Sequence, residues 1–281
     1  MHTSLDLYNS TCMHCSRITT RKYSTSFSLG ILSLAKEFRD PIYAIYGFVR
    51  FADEIVDTFH DYNKETLIQH FEEDTWKSIE EKISLNPILH SFQLAVNQYQ
   101  IDHTLIKQFL HSMKMDLDKK NHDRATYEEY ILGSAEVVGL MCLHVFTKGN
   151  KENYLTLKPF AMALGAAFQK INFLRDLNAD YKNLGRAYFP ELNLQQFNES
   201  LKQKIEIEIE ADFQKGLEGI RMLPYGARFG VYVAYVYYLN LFKKIRSLDA
   251  AFVMQNRIRI PNIKKYSLLF GSYLKHTFNL I

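Results

Sequence analysis

The chain has 281 residues, 47% hydrophobic and 23% charged, a balance that suits a globular protein with one large core. Its net charge of +3, without a basic tract or a nucleic-acid motif, argues against a nucleic-acid partner. Three cysteines, Cys12, Cys15 and Cys142, are too few for a disulfide framework and fit a reducing compartment.

The first residues, MHTSLDLYNSTCMHCS, hold no apolar core of the signal-peptide type, and no stretch reaches the length of a membrane-spanning helix. A cytoplasmic protein is expected. Cys12-Met13-His14-Cys15 has the spacing of half a zinc knuckle, but the other half is missing, so incidental thiols are the better interpretation. Asp40-Pro41 reads as an N-cap followed by Pro at the first helical position, opening a helix that carries VRFADEIVD, residues 49–57. Further helices are predicted near 64–83, 87–100, 103–117, 125–147, 152–180, 200–222, 225–247 and 262–275. IEIEIE (205–210) alternates like a strand, but its neighbours are strong helix formers and no partner strand is evident, so it reads as helix. FGVYVAYVYYLNLF (229–242) is about a third short of a membrane span and contains Asn240, so it reads as a buried helix. Six prolines and twelve glycines leave no linker, and no repeat or low-complexity segment occurs. An all-α, single-domain fold over residues 1–281 follows.

Two stretches carry the chemistry. In VRFADEIVD, Asp53 and Asp57 lie one helical turn apart, and like charges so placed repel by roughly 0.2–0.5 kcal/mol on an exposed helix. Alone, Arg50, Asp53, Glu54 and Asp57 would be an ordinary solvated face. A second copy changes that. In FQKINFLRDLNAD (168–180), Gln169, Asn172, Asp176 and Asp180 follow a 3-4-4 spacing and form one stripe, with Lys170 and Arg175 on other faces. Two helices each presenting D-x-x-x-D could bring four carboxylates together across a bundle core, an arrangement that needs cations. Hard oxygen donors in that number point to Mg²⁺ or Mn²⁺, and Mg²⁺ commonly binds through carboxylates together with substrate phosphates.

The order of YSTSF (23–27), AIYGFVRFADEIVD (44–57), YILGSAEVVG (130–139) and FQKINFLRDLNADYKNLGRAYFP (168–190) resembles the squalene and phytoene synthases, the head-to-head prenyl diphosphate synthases, and most of all the bacterial phytoene synthases. The resemblance covers most of the chain. It implies an all-α isoprenoid-synthase-type helical bundle with a central active-site cavity. The implied reaction condenses two geranylgeranyl diphosphates to phytoene via a cyclopropylcarbinyl diphosphate, in carotenoid biosynthesis. The alternatives are a C30 synthase making dehydrosqualene or squalene from farnesyl diphosphate, and a non-catalytic isoprenoid-binding homologue.

By the same resemblance, Asp53, Asp57, Asn172, Asp176 and Asp180 would hold Mg²⁺, with Mn²⁺ as a substitute, and Tyr130 would join the four aspartates in catalysis. Ser24, Ser26, Arg50, Gln169, Asn172, Arg175 and Arg186 would hold diphosphate oxygens, and Phe27, Tyr46, Tyr188 and Tyr237 would line the substrate. Tyr235 stands where the family pattern leads one to expect a basic residue, so a diphosphate contact there is either lost or taken over by Arg257 or Arg259. Glu136 stands where many relatives have Gly, beside the expected cavity, and Glu54 keeps the charge of a common Asp. Gly133, Ser134, Ala135 and Gly139 fit either room for isoprenoid tails or close helix packing. No nicotinamide site is expected, and a water-insoluble product implies peripheral membrane contact.

Overall fold

The structure, a computed structural model, describes residues 4–118, 123–179, 188–190 and 197–277. Among the described residues there are thirteen α-helices and no strand. They are α1 (Ser4–Tyr23), α2 (Thr25–Leu32), α3 (Lys36–Asp57), α4 (Lys64–Glu81), α5 (Pro87–Tyr99), α6 (His103–Asp118) and α7 (Arg124–Ile131), then α8 (Val137–Thr147), α9 (Lys151–Ala179), α10 (Glu199–Met222), α11 (Tyr225–Arg246), α12 (Ala250–Gln255) and α13 (Asn262–Thr277).

Caps written into the sequence set many of the starts. Asn63, Asn86, Asp123, Asn198 and Asp249 each accept a backbone N–H from the first turn of the helix that follows. Seven of the expected helices lie within two residues of their predicted limits, and IEIEIE is helical inside α10.

Four expectations are corrected. The helix bearing Asp53 and Asp57 opens at Lys36, so Pro41 sits inside it, and Asp40 pairs with Arg17 of α1 at 2.6 Å instead of capping. Helices α1, α2 and α12 were not anticipated; Ser24 caps α2 by accepting the Phe27 N–H at 3.2 Å, and Cys12 and Cys15 ride on α1 as free thiols. The expected helix 125–147 is broken by a π-helical turn, Leu132–Glu136. Taken as one segment, Arg124–Thr147 also has the length and apolarity of a membrane span, though 56% of the window is buried within the protein, as in a core helix.

Long helices hold the bundle together. α9 packs along α10 and α8, α3 is held by α1 and α5, and α11 lies between α2 and α13. Two apolar clusters result, one centred on α3, α5, α6 and α8, the other on α9, α10 and α11.

Candidate active site

A cavity of about 740 Å³ lies between the two clusters. α9 lines it from Leu157 to Asp176, about 28 Å of helix at 1.5 Å per residue. The Leu157 end is apolar, with Phe146, Phe160, Ile220 and Leu223. At the other end, Arg50, Asp53 and Asp57 of α3 meet Gln169, Asn172 and Asp176 of α9, so both acidic motifs open into one space.

Local charge explains how α3 tolerates its carboxylates. Arg50 donates to both Asp53 and Glu54, and its guanidinium lies 4.4 Å from the Tyr23 ring centroid. Burial pushes Asp53 up to about 7, Asp57 and Asp116 push the same way, and Arg50 opposes them. On α9, Asp176 sits between two arginines: Arg175 Nε donates to Oδ2 at 3.1 Å, and Arg257 Nε lies 2.7 Å from Oδ1. Arg175 therefore joins the cavity wall although spacing put it on another face, because its long side chain curls back to its neighbour. Arg257 lines the cavity too, whereas Tyr235 packs edge-on against Phe213 in the core.

The aromatic wall is partly as expected. Phe27 lies 5.7 Å from Tyr46 and 5.9 Å from Tyr238, and Tyr238 stacks on Phe168 at 4.0 Å. Burial pushes Tyr46 up to about 12. Tyr238, rather than Tyr237, lines the cavity, and its hydroxyl donates to Asn172 Oδ1 at 3.3 Å. The Tyr237 hydroxyl instead donates to the Lys265 carbonyl at 2.9 Å, on the α13 side of α11. Ser24 lines the cavity, while Ser26, half-buried in α2, is not among its lining residues. Asp180 and Arg186 lie outside the described residues.

One buried group was missed. Asp116 of α6 accepts the Tyr130 hydroxyl at 2.7 Å and the Tyr188 hydroxyl at 3.0 Å, and all three line the cavity. Burial, with Asp116 and Tyr188 alongside, raises Tyr130 well above the ordinary phenol range. The sequence held a signal, since Phe109, Met113 and Asp116 follow a 4-3 spacing that puts the acid on an apolar helix face. Phe168 and Tyr238 were missed as well.

The small residues divide. A Cβ on Gly133 would lie 2.6 Å from the Ser112 Cβ, a packing contact with α6, whereas Ser134, Ala135 and Gly139 line the cavity. Glu136 does not. It borders a second pocket with Lys170, Asp212 and Lys215, where burial pushes it up to about 7, Asp212 adding to the rise and both lysines opposing it. Among the described residues, no group of three or more Asp, Glu, His or Cys side chains forms a metal site by itself.

Comparison with known proteins places this architecture. The squalene/phytoene synthase family model matches residues 20–264. The chain is 29% identical to the 4,4'-diapophytoene synthase of Staphylococcus haemolyticus over 203 residues, 69% of this chain and 67% of that one. It is 27% identical to the 15-cis-phytoene synthase of Synechococcus elongatus, covering 94% of this chain and 92% of the relative. A crystal structure of a dehydrosqualene synthase in complex with ligand shares the fold, with a TM-score of 0.82 over 95% of this chain and 98% of that one at 22% identity.

Proposed function

Because the chain belongs to the squalene/phytoene synthase family, whose members are prenyltransferases, we propose that it joins two geranylgeranyl diphosphates head to head into phytoene. The route is a cyclopropylcarbinyl diphosphate, the setting carotenoid biosynthesis in the cytoplasm. The supporting observation is a single cavity with carboxylates and arginines at one end and an apolar wall along the rest. An allylic diphosphate has the same two-part character.

The donor set fits a hard divalent cation. Oxygen donors Asp53, Asp57, Asn172 and Asp176 line the polar end, and burial together with the neighbouring carboxylates, which pushes Asp53 up to about 7, favours the arrival of positive charge. With Asp180 of the same motif, these residues would hold Mg²⁺, with Mn²⁺ as a substitute. Bound metal would supply charge neutralisation for the departing diphosphate.

The chain's own residues do the rest. Arg50, Arg175 and Arg257, now turned toward carboxylates, present forked donors that match diphosphate oxygens. Gln169 and Asn172 offer amide donors on the same face of α9. Once the diphosphate leaves, the allylic cation needs π faces and no water, and Phe27, Tyr46, Phe168 and Tyr238 furnish both. Attack by the second substrate's double bond and loss of a proton close the cyclopropane. A second ionisation, rearrangement and proton loss give the linear polyene without a hydride donor.

Incubation with geranylgeranyl diphosphate and Mg²⁺, without reductant, tests this. A C40 hydrocarbon with the phytoene chromophore is expected, with farnesyl diphosphate the poorer substrate. Preferred formation of a C30 polyene from farnesyl diphosphate would overturn the chain length, and no hydrocarbon from either substrate would overturn the reaction.

A further inference from the structure

We infer that α13 is a docking surface for an anionic lipid bilayer. Its less exposed positions, Lys265, Leu268, Leu269, Ser272 and His276, share one face, and the helix packs on α11 and α2. At about 100° per residue, Ile263, Tyr266, Phe270, Tyr273 and Leu274 fall within an arc of roughly 100° on the outer side of the helix, at whose edge the Tyr273 ring still meets Phe229 of α11 at 6.0 Å between centroids. Their exposures are 86%, 57%, 65%, 53% and 41%, an unbroken row of large apolar side chains in solvent. Tyr225, 72% exposed, meets the end of this row through its ring contact with His276 at 4.8 Å. Beyond the row stand Lys264 and Lys275, so the stripe has a cationic margin.

Charge selects the occupant. From Arg221 to Ile281 the chain holds ten Lys and Arg against one acid, Asp249, although its overall net charge is only +3; Arg246 and Arg257 are paired with Glu210 and Asp176, which leaves eight. A second copy seated on this face would bring two strongly positive ends together. A bilayer with anionic headgroups matches both features: acyl chains take the aromatic and aliphatic row, and the headgroups take the lysines. The opposite side of α11 lines the cavity through Val231, Ala234 and Tyr238, so a docked α13 leaves one helix between lipid and substrate.

Co-sedimentation of the full chain with vesicles of phosphatidylcholine, with and without about a third phosphatidylglycerol, tests the surface. Binding at least ~10-fold tighter to the anionic vesicles, weakening as salt rises, is expected. Ile263→Glu with Phe270→Glu should lose at least ~10-fold of that binding with the melting temperature unchanged, since both side chains are in solvent. Lys264→Glu with Lys275→Glu should remove only the preference for anionic lipid. Failure to bind, equal binding to both vesicle types, or unchanged binding by the double glutamate variant would overturn the inference. So would a dimer in lipid-free solution that Phe270→Glu dissolves, which would give the face to a second copy. The measurement reads binding and not turnover, so its outcome is separate from that of the proposed reaction.

Discussion

The Tyr130 hydroxyl donates to Asp116 Oδ2 at 2.7 Å, joining α7 to α6 inside the cavity wall. With Tyr188 on the other carboxylate oxygen, Asp116 fixes two phenols at once. Asp116→Asn keeps the shape but leaves one oxygen to accept from two hydroxyls. A loss of about 1–3 kcal/mol of stability is expected by denaturant titration, as for a broken buried hydrogen bond. Turnover should fall about 10-fold or more as the phenols lose their positions. Parental turnover would remove this pair from the proposed site.

Loss of a carboxylate at the polar end should cut turnover by at least ~100-fold in Asp57→Asn and in Asp176→Asn. The two variants should part company in thermal melting. Asp57→Asn relieves the pressure on Asp53 and holds or raises the melting temperature, whereas Asp176→Asn removes a carboxylate that both Arg175 and Arg257 pair with and lowers it. Near-normal activity in either would sink the metal assignment.

Asp53 also makes stability depend on pH. Its folded value of about 7 lies above the ordinary ~3.9, so the folded state holds the proton more tightly, and stability falls as pH rises between those limits. Asp53→Asn should therefore melt higher than the parent at pH 8, with the advantage gone below about pH 4. The effect is modest, because the side chain is 35% exposed. Mg²⁺ should narrow the gap at pH 8 by stabilising the parent. Glu136→Gln is the control: Glu136, also pushed up to about 7, borders the second pocket, so the variant's advantage over the parent should show the same pH trend but stay the same with and without Mg²⁺, which stabilises both proteins equally.

Substrate length can be read from the far wall. Ala161 lines the cavity on α9, 15 residues before Asp176 or about 22 Å along the helix axis. Ala161→Phe should depress use of geranylgeranyl diphosphate by at least ~10-fold more than that of farnesyl diphosphate, measured as the ratio of kcat/KM values, since one bulky group in an apolar pocket discriminates by that order. Equal losses would place the tails elsewhere.

Much of this was legible because helix caps and acidic spacing are local signals. Asn63, Asn86 and Asn198 name their helices, and the two D-x-x-x-D stretches announce a shared cavity once paired. What escaped depends on contacts distant in sequence or on side-chain reach. Asp116 gains its meaning from Tyr188, 72 residues away. Spacing on α9 cannot tell that Arg175 bends back onto Asp176, and the choice between Tyr237 and Tyr238 turns on about 100° of helix rotation set by α13. Asp40-Pro41 misled because a local start signal lost to the packing of α1 against α3.

The π-helical turn at Leu132–Glu136 corrects a phase error. Tyr130, Ser134, Val138, Cys142 and Phe146 all face the cavity, four residues apart. A uniform α-helix overshoots a full turn by about 40° every four residues, so Phe146 would sit about 160° away from Tyr130 and point into the opposite core. One additional residue in a wide turn takes back about 100° of that drift. The wall thus behaves like a vernier with one skipped tooth. Deleting a single residue from LGSAE would leave a regular helix in which Val138, Cys142 and Phe146 keep their phase to Tyr130, whereas the full-length segment wound as uniform α would turn all three about 100° off the cavity.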